Sequence, residues 1–476
     1  MTDLDFHREV IRAFRFLRCN FDAVSGEAQL VYAFDDGPEL VERVRFPGAP
    51  FTLDAARNET VQQALRLLHL LSGVSYYKAV VPPQIRIESY GIDAATAAFL
   101  ADVYENGLGE FAYRNGLTLR GKIVFPSALP APPDPVSRVD LHPSPTGRMW
   151  PNGPEASAPA LGLSGHALVA IGGGKDSLVS IEALRAANMR QTVAWVGNSP
   201  LIKACAEHTG LAMLNITRSL APELFEMNKL GALNGHIPVT AVNSAILSLA
   251  ALLHDADQVV FSNERSASYG SLIPGTGEVN HQWSKGWAFE RAFAAQLRRQ
   301  VASDLRYYSL LRPFSELAVA RQFARIDRYD AHFSSCNRNF HILGERPAQR
   351  WCGVCPKCQF VFLALAPFMP KPRLMGIFGR NLLDEPEQAA GFDALLEFQD
   401  HKPFECVGEG RESRAAMAAL AASPSWREDA LVARFVREIR PQLEGDELLL
   451  APLFEASDDH GIPGDIWGTL RDAFRA

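Results

Sequence analysis

Three glycines run into a lysine, an aspartate and a serine at Gly172-Gly173-Gly174-Lys175-Asp176-Ser177, straight after the apolar run Ala-Leu-Val-Ala-Ile at 167–171. Without a Cβ, such glycines let backbone N–H groups press against an anion, and a helix starting after the turn aims its positive end there. The chemistry this suits is the gripping of phosphate. A Walker loop needs four residues between its first Gly and the Gly-Lys pair, and dinucleotide sites need G-x-G-x-x-G; neither spacing is present. Glycine triplets also occur in plain strand-to-helix turns, but the Lys-Asp-Ser ending is more specific than glycine alone.

A second group is Cys352, Cys355 and Cys358 in Cys-Gly-Val-Cys-Pro-Lys-Cys, with Cys336 in the segment before it. Two-residue gaps let a tight turn set successive sulfurs about 2.3 Å from one Zn²⁺, and a loop can bring the fourth. Four thiolates leave no position for water, so the site would be structural. An Fe–S cluster is the competing reading, and plain reduced core cysteines are a third.

The elements that must hold these groups belong to a chain of 476 residues, long enough for two or three domains. Its hydrophobic share of 47% and charged share of 21% are those of a soluble globular protein. No run of 18 apolar residues suggests a membrane span, and the first residues, MTDLDFHREVIRAF, lack the apolar core of a signal peptide. A cytoplasmic address is expected. A net charge of −7 argues against a nucleic-acid partner and for a small soluble substrate. Seven cysteines, four of them grouped, suit a reducing compartment and a metal.

Residues 1–125 are expected to form an α+β domain, with a helix through TVQQALRLLHLLSGV and a strand at QIRIESYGI. Residues 126–163, rich in Pro, Ser and Gly, read as a linker. Over 164–375 strand-like runs (ALVAI, TVAWV, LAMLNI, QVVFS) alternate with helical ones, the pattern of an α/β, doubly wound parallel sheet with its ligand at the carboxyl ends of the strands. Residues 376–476 read as mainly helical.

The glycine turn resembles the PP-loop of ATP pyrophosphatases, Ser-Gly-Gly-x-Asp-Ser, which grips the β- and γ-phosphates of ATP and releases pyrophosphate. Gly172 stands where that family usually has serine, so one hydroxyl is missing. Among PP-loop proteins the cysteine pattern is similar to that of 7-cyano-7-deazaguanine synthases, which bind zinc there; this likeness covers roughly 165–365. The full chain, with SYYKAVVPP, GGGKDS, SNERSASYG, NHQWSKGWAFE and HKPFECVGEG, resembles the family of UDP-N-acetylmuramoyl-L-alanyl-L-glutamate epimerases.

That resemblance implies an ATP- and Mg²⁺-dependent inversion of a terminal L-Glu to D-Glu on a UDP-N-acetylmuramoyl dipeptide, with release of AMP and diphosphate. Gly172, Gly173, Gly174, Lys175, Asp176 and Ser177 would hold the triphosphate, Lys175 neutralising it and Asp176 placing Mg²⁺; Val196-Gly197-Asn198 would seat adenine. Candidates for the acid and base are Glu264, beside Arg265, then His281 and Lys285, and His236. Cys336, Cys352, Cys355 and Cys358 would hold structural Zn²⁺. Tyr76, Tyr77 and Lys78 read as a uracil or diphosphate clamp or, more commonly for such a pair, as core; Cys406 reads as a structural cysteine first, then as a substrate-loop residue or a thiol base. Trp283 and Trp287, four apart, are expected on one side of a short helix. A ligase or amidotransferase, and a zinc-stabilised nucleotide-binding protein without catalysis, are the alternative functions. The oligomeric state is left open.

Overall fold

The computed structural model describes residues 7–127, 158–163, 165–273, 276–340, 346–398 and 402–475. Most of the stretch read as a linker, 128–157, lies outside them. The strands are β1 (Ala13–Asp22), β2 (Glu27–Phe34), β3 (Leu40–Arg45), β4 (Gln84–Ile87), β5 (Ala167–Ala170), β6 (Gln191–Val196), β7 (Ala212–Ser219), β8 (Gln258–Phe261), β9 (Ser271–Ile273), β10 (Gly277–Val279) and β11 (Arg306–Ser309).

Nine of them form one mixed sheet in the order β11-β8-β5-β6-β7-β3-β2-β1-β4, while β9 and β10 make a separate ribbon. From β11 to β7 every pairing is parallel. The strands of the first 125 residues continue that same sheet: β3 lies antiparallel to β7, with Val44 opposite Arg218. An ion pair seals this seam, Arg218 Nε to Glu42 Oε1 at 2.7 Å, and Arg218 also donates to Ser75 Oγ at 3.0 Å. Glu42 is wholly buried, so its charge is tolerable only because the guanidinium faces it.

Alternation along the short central strands divides the core into two layers. Leu168, Ala194, Val259 and Tyr307 face helices Ala55–Ser72, Val239–Leu253 and Trp287–Gln300. Val169, Val193, Val260 and Tyr308 face helices Lys175–Ala186, Glu316–Ala324 and Pro356–Leu365. Strands covered on both sides read as unbroken apolar runs, as ALVA and QVVF do. Helix Val239–Leu253 is apolar almost all round because it is sandwiched between sheet and helix Ala55–Ser72. Asp54 caps the latter by accepting from Arg57 N.

Strand order explains where a ligand fits. The parallel half starts at β5, runs outward through β6 and β7, then returns to place β8 and β11 on the other side of β5. Connections leaving β5 and β8 therefore go to opposite faces, and a crevice opens between the carboxyl ends of these two strands. Both the glycine turn after β5 and the SNERSASYG segment after β8 lie there.

After β11 the described residues contain helices and no strand. No helix among the described residues is long and apolar enough to cross a membrane. One sequence expectation fails on packing, and of the two readings of Tyr76 and Tyr77 the core one holds. Trp283 opens the 3-10 turn Trp283–Lys285, and Trp287 opens helix Trp287–Gln300; extended Gly286 separates them, so they share no helix face. Tyr76 and Tyr77 are core residues, the Tyr76 hydroxyl accepting from Ala221 N at 3.0 Å, which rules out a clamp on a uracil.

Candidate functional site

The glycine turn is shaped by one positive dihedral, φ +78° at Gly173, a region L side chains avoid. Gly174 precedes helix Lys175–Ala186 and offers no side-chain cap, so the N–H groups of the first turn face the crevice without one. Ser177 Oγ donates to Gly174 O at 3.1 Å and lies 3.4 Å from Gly172 N, holding the turn closed. Ser334 N donates to Gly173 O at 2.9 Å, so the strap leading to Cys336 backs the turn. Beside it, Gly197 ends β6 with φ +102°, and the Cα of Ile202 comes 3.5 Å from where a Gly173 Cβ would sit.

Lys175 points inward. It is 1% exposed, and its ammonium bonds both Asp176 and Glu316. Glu316 stands in the first turn of helix Glu316–Ala324, capped by Ser315, with Lys357 Nζ 3.9 Å away. Burial pushes Glu316 up to about 7; Lys175 pulls against that, while Asp176 and Glu264 add to it. Asp176 is held below the usual carboxylate range because Lys175, Lys357 and Lys285 together outweigh its burial. Glu264 is 5% exposed, and burial, then Asp176, raise it. Its carboxylate has no hydrogen-bonded partner on another described residue.

On the far side of Glu264 lies a second group. Lys285 Nζ is 3.1 Å from Cys406 Sγ. His281 hydrogen-bonds Glu110 through Nδ1 and interacts with the Cys406 sulfur; its ring lies 4.1 Å from that of His236. Burial opposes a charged His281, yet Cys406 and Glu110 raise it to about 9, whereas burial and the neighbouring imidazolium lower His236 to about 4. A protonated His281 has no lone pair on offer, so in that state the trio holds a proton; the ligand atoms of Glu110, His236 and His281 also lie within 4.8 Å of one another.

Arg312 holds the two loops together. This 1% exposed guanidinium pairs with Glu290 at 3.0 Å, donates to Glu264 O at 2.7 Å and also to Lys285 O. Arg265 turns toward the last part of the chain, its side chain donating to Glu455 O at 3.0 Å. Lys78 bonds Asn234 Oδ1 at 2.8 Å, and burial lowers it to about 8.

Cys336, Cys352, Cys355 and Cys358 converge, with all four Sγ atoms within 4.8 Å of one another. Cys352 and Cys355 lie 3.7 and 3.4 Å from Cys358, close to the edge of about 3.8 Å in a tetrahedron of 2.3 Å metal–sulfur bonds. The donor set therefore fits a soft tetrahedral metal. Lys357 lies between two of these cysteines, and its ammonium reaches Glu316 and the Cys406 carbonyl.

Two family models match the chain: the MurL N-terminal domain over residues 5–310 and the MurL C-terminal domain over 332–449. The chain belongs to the MurL family. A relative from Xanthomonas oryzae pv. oryzae, described as a UDP-N-acetyl-alpha-D-muramoyl-L-alanyl-L-glutamate epimerase, is 67% identical over 98% of this chain and 99% of its own length. Relatives with the same description from a Micromonospora species and from Salinispora tropica are 40% and 39% identical, over 95% and 89% of this chain and 96% and 88% of their own lengths.

In this MurL-family chain the crevice gathers Lys175, Asp176 and Glu264, with Lys285 next to them and His281 and His236 one contact further out. Four contributors escaped sequence reading: Glu110, Arg312, Glu316 and Lys357. Glu110 and Glu316 sit in ordinary helical first turns, and nothing local separates them from solvated acids. Lys357 carried one usable signal, its place between two paired cysteines.

Proposed function

We propose that this chain is an isomerase of peptidoglycan precursor synthesis that inverts the terminal L-Glu of UDP-N-acetylmuramoyl-L-alanyl-L-glutamate, driven by cleavage of ATP to AMP and diphosphate. The observation that carries the ATP part is the uncapped glycine turn at the β5/β8 crevice, opening directly onto three carboxylates, two of them buried, and three lysines. The substrate part rests on near full-length likeness to relatives described by that activity.

A carboxylate's α-proton is very weakly acidic, because its loss would concentrate two negative charges. Converting the α-carboxylate to an acyl-adenylate removes one charge and makes the carbonyl an electron sink. A side-chain base then takes the proton, an acid returns one from the opposite face, and water cleaves the adenylate. Gly172–Ser177 would bind the triphosphate through backbone N–H groups, and Val196 and Gly197 border the place for adenine. Asp176, beside the turn, would help to place Mg²⁺, which would neutralise phosphate charge; the four cysteines would hold structural Zn²⁺.

The test is incubation with Mg-ATP and the dipeptide substrate in D₂O. AMP, diphosphate and one deuterium at the inverted carbon are expected. Orthophosphate with ADP, inversion without nucleotide, or an amide product would each overturn the reading. Lys175→Ala should lower AMP formation by about 10²–10³-fold.

A further inference from the structure

Cys406 is unlike the other cysteines outside the metal cluster. Cys19 and Cys205 are pushed up to about 12 by burial, as inert core thiols are. Cys406 sits only partly buried in the 402–409 segment, facing cations from three separate parts of the chain. Lys285 Nζ is 3.1 Å from its sulfur, the His281 imidazolium attracts it, and the Lys357 ammonium bonds its carbonyl oxygen. Together these outweigh burial and hold the thiol well below its ordinary range. Anionic neighbours stand one contact further out: Glu405 next in the chain, Glu110 behind His281, and Asp176 and Glu264 behind Lys285.

Lys285 and Lys357 are also two of the three lysines that stabilise Asp176, so one side chain separates the sulfur from the phosphate-gripping turn. The wall between them is incomplete. Glu264, 5% exposed, has a carboxylate hydrogen-bonded only to its own backbone N–H, and Glu405 Oε2 is buried without a partner. Acid oxygens left short of partners beside a lysine–thiolate pair mark a place that a ligand completes.

We propose that the Cys406 thiolate is one of the two groups that exchange the α-proton, reaching one face of the glutamyl α-carbon beside Lys285. The assignment rests on the acyl-adenylate reading above. The Cα–H bond breaks, the S–H bond forms, and the electron pair moves onto the activated carbonyl. Reprotonation on the opposite face restores the carbonyl, and the thiol then yields its proton to water, which regenerates the thiolate. His281, paired with Glu110, is a positioning residue that keeps the sulfur charged.

Cys406→Ala and Cys406→Ser are tested with Mg-ATP in D₂O on both the L-Glu and the D-Glu epimer. AMP release should stay within about 3-fold of wild type, while inversion falls about 10²–10⁴-fold. Deuterium uptake should vanish for one epimer and persist for the other, a split that a merely structural cysteine would not produce. Unchanged inversion, or equal loss of AMP release and of both exchanges, overturns the assignment. Wild-type protein supplies a check that needs no variant. Iodoacetamide should label Cys406 before Cys19 and Cys205, at a rate nearly flat from about pH 6 to 8; labelling no faster than those two overturns the thiolate. If wild type makes no AMP, the adenylate reading fails, and the labelling result still judges the thiolate.

Discussion

Gly172 and Gly173 are neighbours with opposite tolerances. Gly173 turns through φ +78°, where an L side chain adds about 1–2 kcal/mol of strain, and its carbonyl is held by Ser334. At Gly172 φ is not positive and a Cβ would meet no atom within 4 Å. Gly173→Ala should therefore lower both stability, by about 1–2 kcal/mol, and AMP formation, by about 10-fold. Gly172→Ser should leave stability unchanged and keep or raise AMP formation, since it restores the hydroxyl found at that place in the resembled loop. Urea unfolding and diphosphate release measure the pair. Equal damage by both would show that the turn has no phosphate-gripping role. At this scale the sequence was most legible: glycine spacing and the cysteine gaps are local geometry, and local geometry is written in consecutive residues. Lys175 shows the limit. Its type was readable, but its inward ion pair with Glu316, 141 positions away, was not.

Among elements, the cysteine-bearing strap and helix Pro356–Leu365 form a buttress. One end backs the glycine turn through Ser334, and the other presents Lys357 to Glu316 and to Cys406. A metal there would stabilise the fold and also set the position of a charged group in the crevice. Metal analysis should find one zinc per chain. Removing it with a strong chelator, or substituting Cys355→Ser, should reduce AMP formation by about 10²-fold while the sheet's circular dichroism is largely kept. Full activity after complete metal loss would separate the cluster from the site. Strands β5, β6 and β8 and the helix Val239–Leu253 were readable from apolar runs and periodicity. The broken helix around Trp283 was not, because Gly286 takes an extended conformation that four-residue spacing does not reveal.

In the molecule as a whole, one sheet couples the first hundred residues to the crevice, and its distal core carries a pH sensitivity. His69 is fully buried, its Nε2–H donating to Val31 O at 3.1 Å and its Nδ1 accepting from Tyr90 at 2.9 Å. Burial lowers it from 6.5 to about 3. A depressed folded value contributes stability above pH 6.5 and loses it as pH falls toward 3, at about 1.4 kcal/mol per unit. His69→Gln should be less stable at neutral pH yet lose about 2 kcal/mol less than wild type between about pH 7 and 5 in urea unfolding. Parallel losses in the two proteins would refute a neutral buried imidazole.

Residue type and short spacing already determined the strand–turn–helix at 167–186, the four-thiol cluster, the alternation of the parallel half and the family resemblance. Only the tertiary structure decided that β3 joins β7, that Glu110 reaches His281, and that Arg312, Lys357 and Glu316 surround Lys175 and Lys285. Periodicity and turn chemistry act over a few residues, so they survive in the linear text. Charge pairing across the crevice depends on which distant loops the strand order brings to the ends of β5 and β8, and no local pattern encodes that order.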